Sequence, residues 1–302
     1  MSSEKYYDVI IIGGSYSGLA AAMALGRALM TVLVIDDAMP CNRQTPHSHN
    51  FLTQDGQTPT QIATTARLQV ERYKSISFFS GLAVTGTKTA NGFEIMTPSG
   101  ETFRGVTLIF ATGIRDILPA IEGLAECWGI SVLHCPYCHG YEVRKEVTGI
   151  LGNGEAGYQL IKLIANWTRH LTLFTNGAST LTRDQAEQLG RAGIPIIDTP
   201  ITRITHTAGN IQQLVFEDGA TAPVKALYTR APFEQHCAIP QHLGCQLTEE
   251  GYLRVDATQE TTVPGVYACG DNTSGARTVA NAVSTGTLAG MAASKKIILS
   301  RF

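Results

Sequence analysis

The sequence carries little charge. Asp, Glu, Lys and Arg make up 16% of its 302 residues, and Lys+Arg 23 against Asp+Glu 25 leaves a net charge of −2. Lacking a basic excess, the chain is not built to track a nucleic-acid backbone or to lie on an anionic membrane. Low charge beside 44% hydrophobic residues also excludes a disordered polyelectrolyte or a charged coiled coil. No apolar run approaches the ~18 residues of a membrane-spanning helix. The opening Met1-Ser2-Ser3-Glu4-Lys5 lacks the basic start and separate apolar core of a secretory signal, since the apolar run begins at Val9 and breaks at Gly13. The expected location is the cytoplasm. Seven cysteines, an odd count, are not a disulfide framework in that reducing setting. Glycine, by contrast, is abundant at 30 residues, and the length suits about two domains of roughly 150 residues each.

The glycines fall in a repeated context. Asp8–Ile12 reads as a short buried strand and ends in Gly13-Gly14-Ser15-Tyr16-Ser17-Gly18. A small-residue helix, Leu19–Leu25, follows, then a second apolar strand, Val32–Ile35, ending at Asp36. Strand, Gly-rich turn, helix, strand and acid in this order form a dinucleotide-binding unit. Gly13 allows the tight turn, Gly18 allows close packing of the helix, the helix N-terminus suits a pyrophosphate, and Asp36 suits ribose hydroxyls. The usual middle glycine is Ser15. The order recurs with Val147–Leu151, the full G-x-G-x-x-G of Gly152, Gly154 and Gly157, a helix over Tyr158–Asn166 and a strand over Leu171–Phe174. Each unit is followed by hairpin signals, Asn91-Gly92 and Ser99-Gly100 in the first, Gly209-Asn210 and Asp218-Gly219 in the second. A strand over Val106–Phe110 runs into Ala111-Thr112-Gly113. Near the end, Gly265–Asp271 pairs a strand with an acid ahead of a small-residue helix, Ala280–Lys295. The expectation is an α/β protein with two Rossmann-like nucleotide-binding domains, the second inserted into the first. The first domain spans 1–116 and 238–302, and the second spans 117–237. Two nucleotide sites in one chain point to electron transfer.

Between the units lies Cys135-Pro136-Tyr137-Cys138, followed by His139. A C-x-x-C entering a helix can close a disulfide across one turn, and the helix N-terminus favours the thiolate that performs exchange. Zinc binding through these cysteines and His134 or His139 is an alternative, but no second C-x-x-C completes the site, and Cys237 and Cys245 are eight residues apart. A thioredoxin-fold domain could carry the motif, but the flanking dinucleotide units leave it no room, and two unreactive buried cysteines are the third alternative. No metal site is expected. His47 and His49 read as polar loop residues, and Trp128 and Trp167 as packing residues.

The opening IIGGSYSGLAAAMALGR, the ATG at 111–113, CPYCHGYE at 135–142, GNGEAG at 152–157 and GVYACGD at 265–271 resemble, in order and spacing, a low-molecular-weight thioredoxin reductase. The segment Pro40–Gly56 and the CPYCHG form resemble a divergent branch that is also similar to fungal dithiol oxidases. The resemblance spans essentially the whole chain. It implies FAD in the first unit, with Gly13, Ser15 and Gly18 at the pyrophosphate, Asp36 at the adenosine ribose and Asp271 toward the ribityl end. Asn281 and Ala282 would meet the flavin ring, and Asn50 would belong to the loop covering it. Cys138 would face the flavin, Cys135 would be the interchange thiol, and His139, where the family has an acid, would shuttle a proton. A homodimer is implied as well, with a thioredoxin-like protein or a small dithiol as partner.

The second site departs from the family. The strand after its Gly-rich turn ends in Thr175-Asn176-Gly177, where the family places the basic cluster that grips the 2′-phosphate of NADPH. The nearest arginine is Arg183. A missing charge-assisted bond costs roughly 1.5–3 kcal/mol. NADPH selection is therefore not expected from these residues. The leading expectation is an FAD-dependent disulfide oxidoreductase. The alternatives are a dithiol oxidase passing electrons to oxygen or another non-nicotinamide acceptor, and a flavin-binding redox sensor.

Overall fold

The computed structural model describes residues 6–302. The chain begins with β1 (Tyr6–Ile12), α1 (Tyr16–Arg27), β2 (Val32–Asp36), α2 (Pro59–Val70), β3 (Ile76–Ser80), β4 (Thr85–Thr89), β5 (Gly92–Met96), β6 (Thr102–Phe110) and β7 (Ile114–Asp116). Strands β3, β2, β1 and β6 pair in parallel in that order, with Val9 opposite both Val32 and Thr107. Both faces of this sheet are covered, so β1 is apolar without alternation. Its Val9 and Ile11 enter one core and Ile10 and Ile12 the other. The hairpins at Asn91-Gly92 and Ser99-Gly100 join β4 to β5 and β5 to β6 in antiparallel fashion. Helix α2 starts on a capping box in which Thr58 and Gln61 satisfy each other's backbone amides.

The middle of the chain continues with α3 (Leu124–Cys127), β8 (Val132–Leu133), α4 (Pro136–His139), β9 (Thr148–Leu151), α5 (Gly154–Ile164), β10 (Leu171–Phe174), α6 (Arg183–Arg191), β11 (Ile196–Ile197), β12 (Ile201–Thr207), β13 (Asn210–Phe216), β14 (Thr221–Pro223) and β15 (Ala226–Thr229). The parallel sheet runs β11-β10-β9-β15-β8, and β12-β13-β14 form an antiparallel meander turning at Gly209-Asn210 and Asp218-Gly219. The chain then returns through β16 (Phe233–Gln235), α7 (Ile239–His242), β17 (Val266–Ala268) and α8 (Val279–Ser300). Strand β17 pairs in parallel with β6, placing Ala268 level with Phe110. Helix α8 lies against α1 nearly backbone to backbone. A Cβ on Gly286 would stand 2.1 Å from the Ser17 carbonyl oxygen, and one on Gly290 would stand 2.6 Å from that of Ala21.

The fold is the expected α/β architecture with the nucleotide-binding topology used twice. The described residues separate into two compact units. One holds the residues through Arg43, Asn50–Arg115 and Phe233–Phe302; the other holds Gln44–His49 and Asp116–Pro232. Phe233–Gln235 lie in the first unit because β16 pairs with β7 and the Phe233 ring packs 4.6 Å from that of Tyr252. Residues 44–49 lie in the second, where Thr45 borders Gly129 and His49 meets Glu142. No helix among the described residues is long and apolar enough to cross a membrane.

Candidate active site

The first Gly-rich turn is shaped by close approaches. Gly13 has φ +100°, and a Cβ there would stand 2.3 Å from the Ala111 carbonyl oxygen. A Cβ on Gly18 would stand 1.9 Å from the Gly13 carbonyl oxygen, so α1 touches the turn backbone to backbone. Ser15 has φ −85°, an ordinary conformation, and replaces the middle glycine without strain. It occupies the N-cap position of α1 but its side chain makes no capping bond, and no acid lies in the first turn. The helix thus begins without a side-chain competitor for an anion at its positive end. Asp36, at the end of β2, accepts a hydrogen bond from the Gly14 amide at 2.8 Å. One of its oxygens therefore fixes the turn, a role beyond the ribose contact expected of it.

The strand pairs Ile12–Ile35, Ile12–Phe110 and Phe110–Ala268 bring further residues to the same C-terminal edge of the sheet, where ligands bind in such folds. Beyond β17, Asp271 Oδ2 stands 3.7 Å from Arg277 Nε and 4.0 Å from Cys41 Sγ. Asn281, in the first turn of α8, donates its amide to Thr278 Oγ1 and its side-chain nitrogen to Ser274 Oγ. Ala282 packs with Tyr16 and Ile62. Asn50 takes a left-handed conformation, and its amide donates to Asp55 Oδ1 at 2.7 Å. Asn272 was not expected. It is fully buried and donates to the Phe110 carbonyl at 2.9 Å, while its Oδ1 accepts no hydrogen bond among the described residues. A buried acceptor left unmatched costs stability. With the glycine approaches and the uncapped helix, it makes this edge fit a dinucleotide cofactor such as FAD.

The second Gly-rich turn has the same topology and different chemistry. Asn153 caps α5 through its own side chain, Oδ1 accepting from the Gly154 amide at 2.8 Å. The same oxygen accepts from the Thr180 amide and hydroxyl, and the Asn153 side-chain nitrogen donates to the Ala178 carbonyl. A Cβ on Gly154 would meet Thr180 Oγ1 at 2.8 Å, whereas Gly152 and Gly157 approach each other, 3.1 Å from a Gly152 Cβ to Gly157 Cα. Glu155 places a carboxylate in the first turn and is held there by the side-chain amides of Gln159 and Gln185. A carboxylate at a helix N-terminus competes with a phosphate for the same field. At the strand end, Asn176 is left-handed (φ 53°), and its Oδ1 accepts from the Ile201 amide at 2.7 Å. Arg183 is 90% exposed and paired with Glu187 one helical turn on. Neither residue is arranged to read a 2′-phosphate.

Strand β8 delivers the chain to the cysteines. Cys135 is the N-cap of α4, Pro136 fills the first helical position, and the Cys138 amide donates to Cys135 Sγ at 3.2 Å. The two cysteines are joined as a disulfide with Cα atoms 5.3 Å apart. That amide favours negative charge on Cys135, so of the two sulfurs Cys135 is the better stabilised thiolate once the bond opens. Tyr137 is 64% exposed and meets Trp167 edge-on at 5.6 Å. Burial pushes the His139 imidazole below its ordinary value; Glu142 opposes that shift and His49 adds to it. Among the described residues no group of three or more His, Cys, Asp or Glu could hold a metal ion. The other cysteines remain thiols, and complete burial pushes Cys269 up to about 12, with Ser17 opposing.

A parallel nucleotide-binding fold used twice in one chain, with a vicinal cysteine pair on a short helix, defines an oxidoreductase that works on disulfides. The chain belongs to the pyridine nucleotide-disulphide oxidoreductase family, which it matches over residues 7–286. Within that family it is thioredoxin reductase-like. It is 31% identical to the thioredoxin reductase tcpT of Claviceps purpurea over 99% of this chain and 96% of that one. It is 30% identical to the thioredoxin reductase sirT of Leptosphaeria maculans over 94% and 92% of the two chains. The crystal structure of an oxidoreductase from Agrobacterium tumefaciens superposes with a TM-score of 0.91 at 36% identity, covering 98% and 99% of the two chains.

Proposed function

We propose that this protein is an FAD-dependent disulfide oxidoreductase in which electrons pass between the flavin, the Cys135–Cys138 pair and a dithiol or disulfide partner. The observation that carries the reading is the Cys135–Cys138 disulfide at the start of α4, in a chain whose other unit keeps an uncapped nucleotide-fold helix. On this reading the first unit is the FAD domain, and the second is an NAD(P)H-domain fold carrying the cysteines. Gly13, Ser15 and Gly18 hold the pyrophosphate, Asp36 the ribose, Asp271 the ribityl end, and Asn281, Ala282 and Asn50 the surroundings of the ring. The bound flavin supplies a two-electron acceptor and donor for the cysteines. Cys135 exchanges with the partner, Cys138 is its flavin-facing neighbour, and His139 takes up or returns a proton. The relatives named thioredoxin reductase support a thioredoxin-like partner.

The chemistry of the second Gly-rich turn favours a second reading of direction. With Asn153 capping α5, Glu155 in its first turn and no cation at the end of β10, Gly152, Gly154 and Gly157 form a poor NADPH site. Electrons then enter from a small dithiol and leave to oxygen or another acceptor. Anaerobic titration of the purified protein separates the possibilities. Bleaching by a dithiol but not by NADPH or NADH, followed by oxygen uptake in air, supports oxidation. Bleaching by NADPH followed by thioredoxin reduction supports reductase turnover. A yellow protein that does neither is a redox sensor, and a colourless protein that takes up no FAD overturns the whole reading.

A homodimer is part of the same proposal. Helices α1, α2 and α8 border an apolar groove of about 940 Å³ lined by Leu19, Met23, Ile62, Leu288 and Met291. Leu288, Met291 and Leu299, all part of its lining, are exposed. Light scattering of the full chain should give a dimer that Met291→Glu converts toward monomer. A wild-type monomer rejects this part.

A further inference from the structure

The segment Gln44–His49, whose histidines read from the sequence as polar loop residues, belongs to the second unit, where His49 Nε2 stands 3.6 Å from Glu142 Oε1. Three titratable side chains therefore act on one another where the chain leaves the cysteine pair. His139 ends α4 directly after Cys138, Glu142 follows in the turn beyond it, and His49 arrives from far earlier in the chain. The side chains of His49 and Glu142 are 21% and 40% exposed, so solvent only partly screens them. Other groups face the cluster from each packed element. Tyr228 on β15 has a buried hydroxyl whose ionisation both burial and Glu142 oppose. His47 has its ring 6.5 Å from that of His49. Arg144 is turned onto the Tyr141 ring and carbonyl. The charges that act on His139 itself are Glu142, which favours the imidazolium, and His49, which opposes it.

We propose that His49 and Glu142 are positioning residues of thiol exchange, acting together to set how readily His139 takes up the proton of a thiol attacking Cys135–Cys138. The inference rests on the reading of the cysteine pair and of His139 given above. In the step concerned, a substrate thiol gives its proton to neutral His139, and its sulfur bonds to Cys135 Sγ. The Cys135–Cys138 bond breaks and Cys138 leaves as thiolate. The second substrate thiol, deprotonated by solvent, then attacks the substrate sulfur of the mixed disulfide and releases Cys135 as thiolate. Two electrons have passed from the substrate dithiol to the cysteine pair. Burial favours the neutral His139 imidazole that can accept. Glu142 strengthens the pull on the incoming proton and His49 weakens it, so the pair sets how firmly the imidazole holds what it takes up.

The arrangement gives a sign that simple loss of packing would not. His49→Gln should raise the titration midpoint of His139 and Glu142→Gln should lower it, each by about half a pH unit to one unit. Glu142→Asp, which keeps the charge, should restore the wild-type value. The midpoint is read by ¹H–¹³C NMR on the full chain, the His139 signal being the one lost in His139→Gln. In parallel, the rate at which dithiothreitol opens Cys135–Cys138 is followed by alkylation and mass measurement across pH, corrected for the thiolate fraction of the reagent. Its inflection should move with the NMR midpoint in each variant. Midpoints that stay fixed, or move in the same direction in His49→Gln and Glu142→Gln, overturn the inference. Midpoints that move apart while the exchange profile stays in place overturn the positioning role and leave the cysteine reading intact. A native disulfide that dithiothreitol does not open at any pH overturns the cysteine reading itself.

Discussion

Placing arginine at the end of β10 is the obvious way to give the second site a grip on NADPH, and Asn176 is the obvious residue to replace. The structure turns this into a stability experiment. Asn176 Oδ1 accepts from the Ile201 amide at 2.7 Å, and its backbone is left-handed. Arginine at that position removes the acceptor, leaving a part-buried amide unsatisfied at about 1–3 kcal/mol. It also loses asparagine's tolerance of the left-handed region, about 1 kcal/mol more. The combined loss of about 2–4 kcal/mol should lower the melting temperature of the unit that holds it by about 10 °C or more, taking 4–8 °C per kcal/mol for a domain of roughly 100 residues. Gly177→Arg meets the same obstacle at φ +129°. Ala178 is exposed and bonds Asn153 only through its carbonyl, so Ala178→Arg should stay within about 0.5 kcal/mol of wild type. Thermal unfolding by circular dichroism of the three proteins, with anaerobic NADPH reduction of each, reads both properties. An Asn176→Arg protein that melts with the wild type would refute the structural role of that side chain. Rapid reduction of the wild type by NADPH, with NADH much slower, would refute the reading of the whole turn.

Three other outcomes follow from the geometry. Gly18→Ala must move α1 away from the Gly13 carbonyl, which its Cβ would approach to 1.9 Å; the protein should purify without flavin, as absorbance near 450 nm will report, at a cost of about 1–3 kcal/mol in stability. Cys138→Ser should trap a partner or a small aromatic thiol as a stable mixed disulfide on Cys135, whereas Cys135→Ser should trap far less, since only Cys135 accepts the N-terminal amide of α4; mass measurement after incubation decides, and the reverse pattern exchanges the two roles. His139 has its pKa lowered in the folded state, chiefly by burial, so below pH 6.5 the unfolded chain takes up the proton first and stability falls as pH drops toward the folded value. His139→Gln should flatten that fall below about pH 6.5 in urea denaturation, and an unchanged slope would show that the group does not titrate differently on folding.

Much of this was legible because the chemistry is written in short, local patterns. The strands around Gly13 and Gly152 are continuous apolar runs with glycine at their ends, and each of the four turn dipeptides sits at a hairpin in the structure. The Cys135–Cys138 spacing spans one helical turn, and the pair is joined. What could not be read depends on side chains brought together from a distance. Asn153 looked like the variable position of a phosphate turn, yet its side chain is engaged by Thr180, which no spacing rule connects to it. Asn272 is one of several polar residues after Asp271, and only its burial against Phe110 sets it apart. His49 reads as a loop histidine because its partner, Glu142, lies in the other half of a discontinuous unit. A glutamate one turn beyond C-x-x-C-H was the available hint, and by itself it carries no direction.

The contact between α1 and α8 also orders events at the ribosome. Gly286 and Gly290 let the last helix settle onto the backbone of the first, and β17 supplies a neighbour for β6. The N-terminal strands therefore wait, with α1 and much of one sheet face uncovered, until Phe233–Phe302 has been made. At about 5–20 residues per second, the stretch from Phe110 to Phe302 takes about 10–40 seconds to make. Asp116–Pro232 emerges uninterrupted, with its parallel sheet and meander complete in sequence. The inserted unit, which carries the cysteines, can thus acquire its structure while the unit that surrounds it is still being translated. During that interval nascent β1 and α1 are the part of the chain most in need of a chaperone.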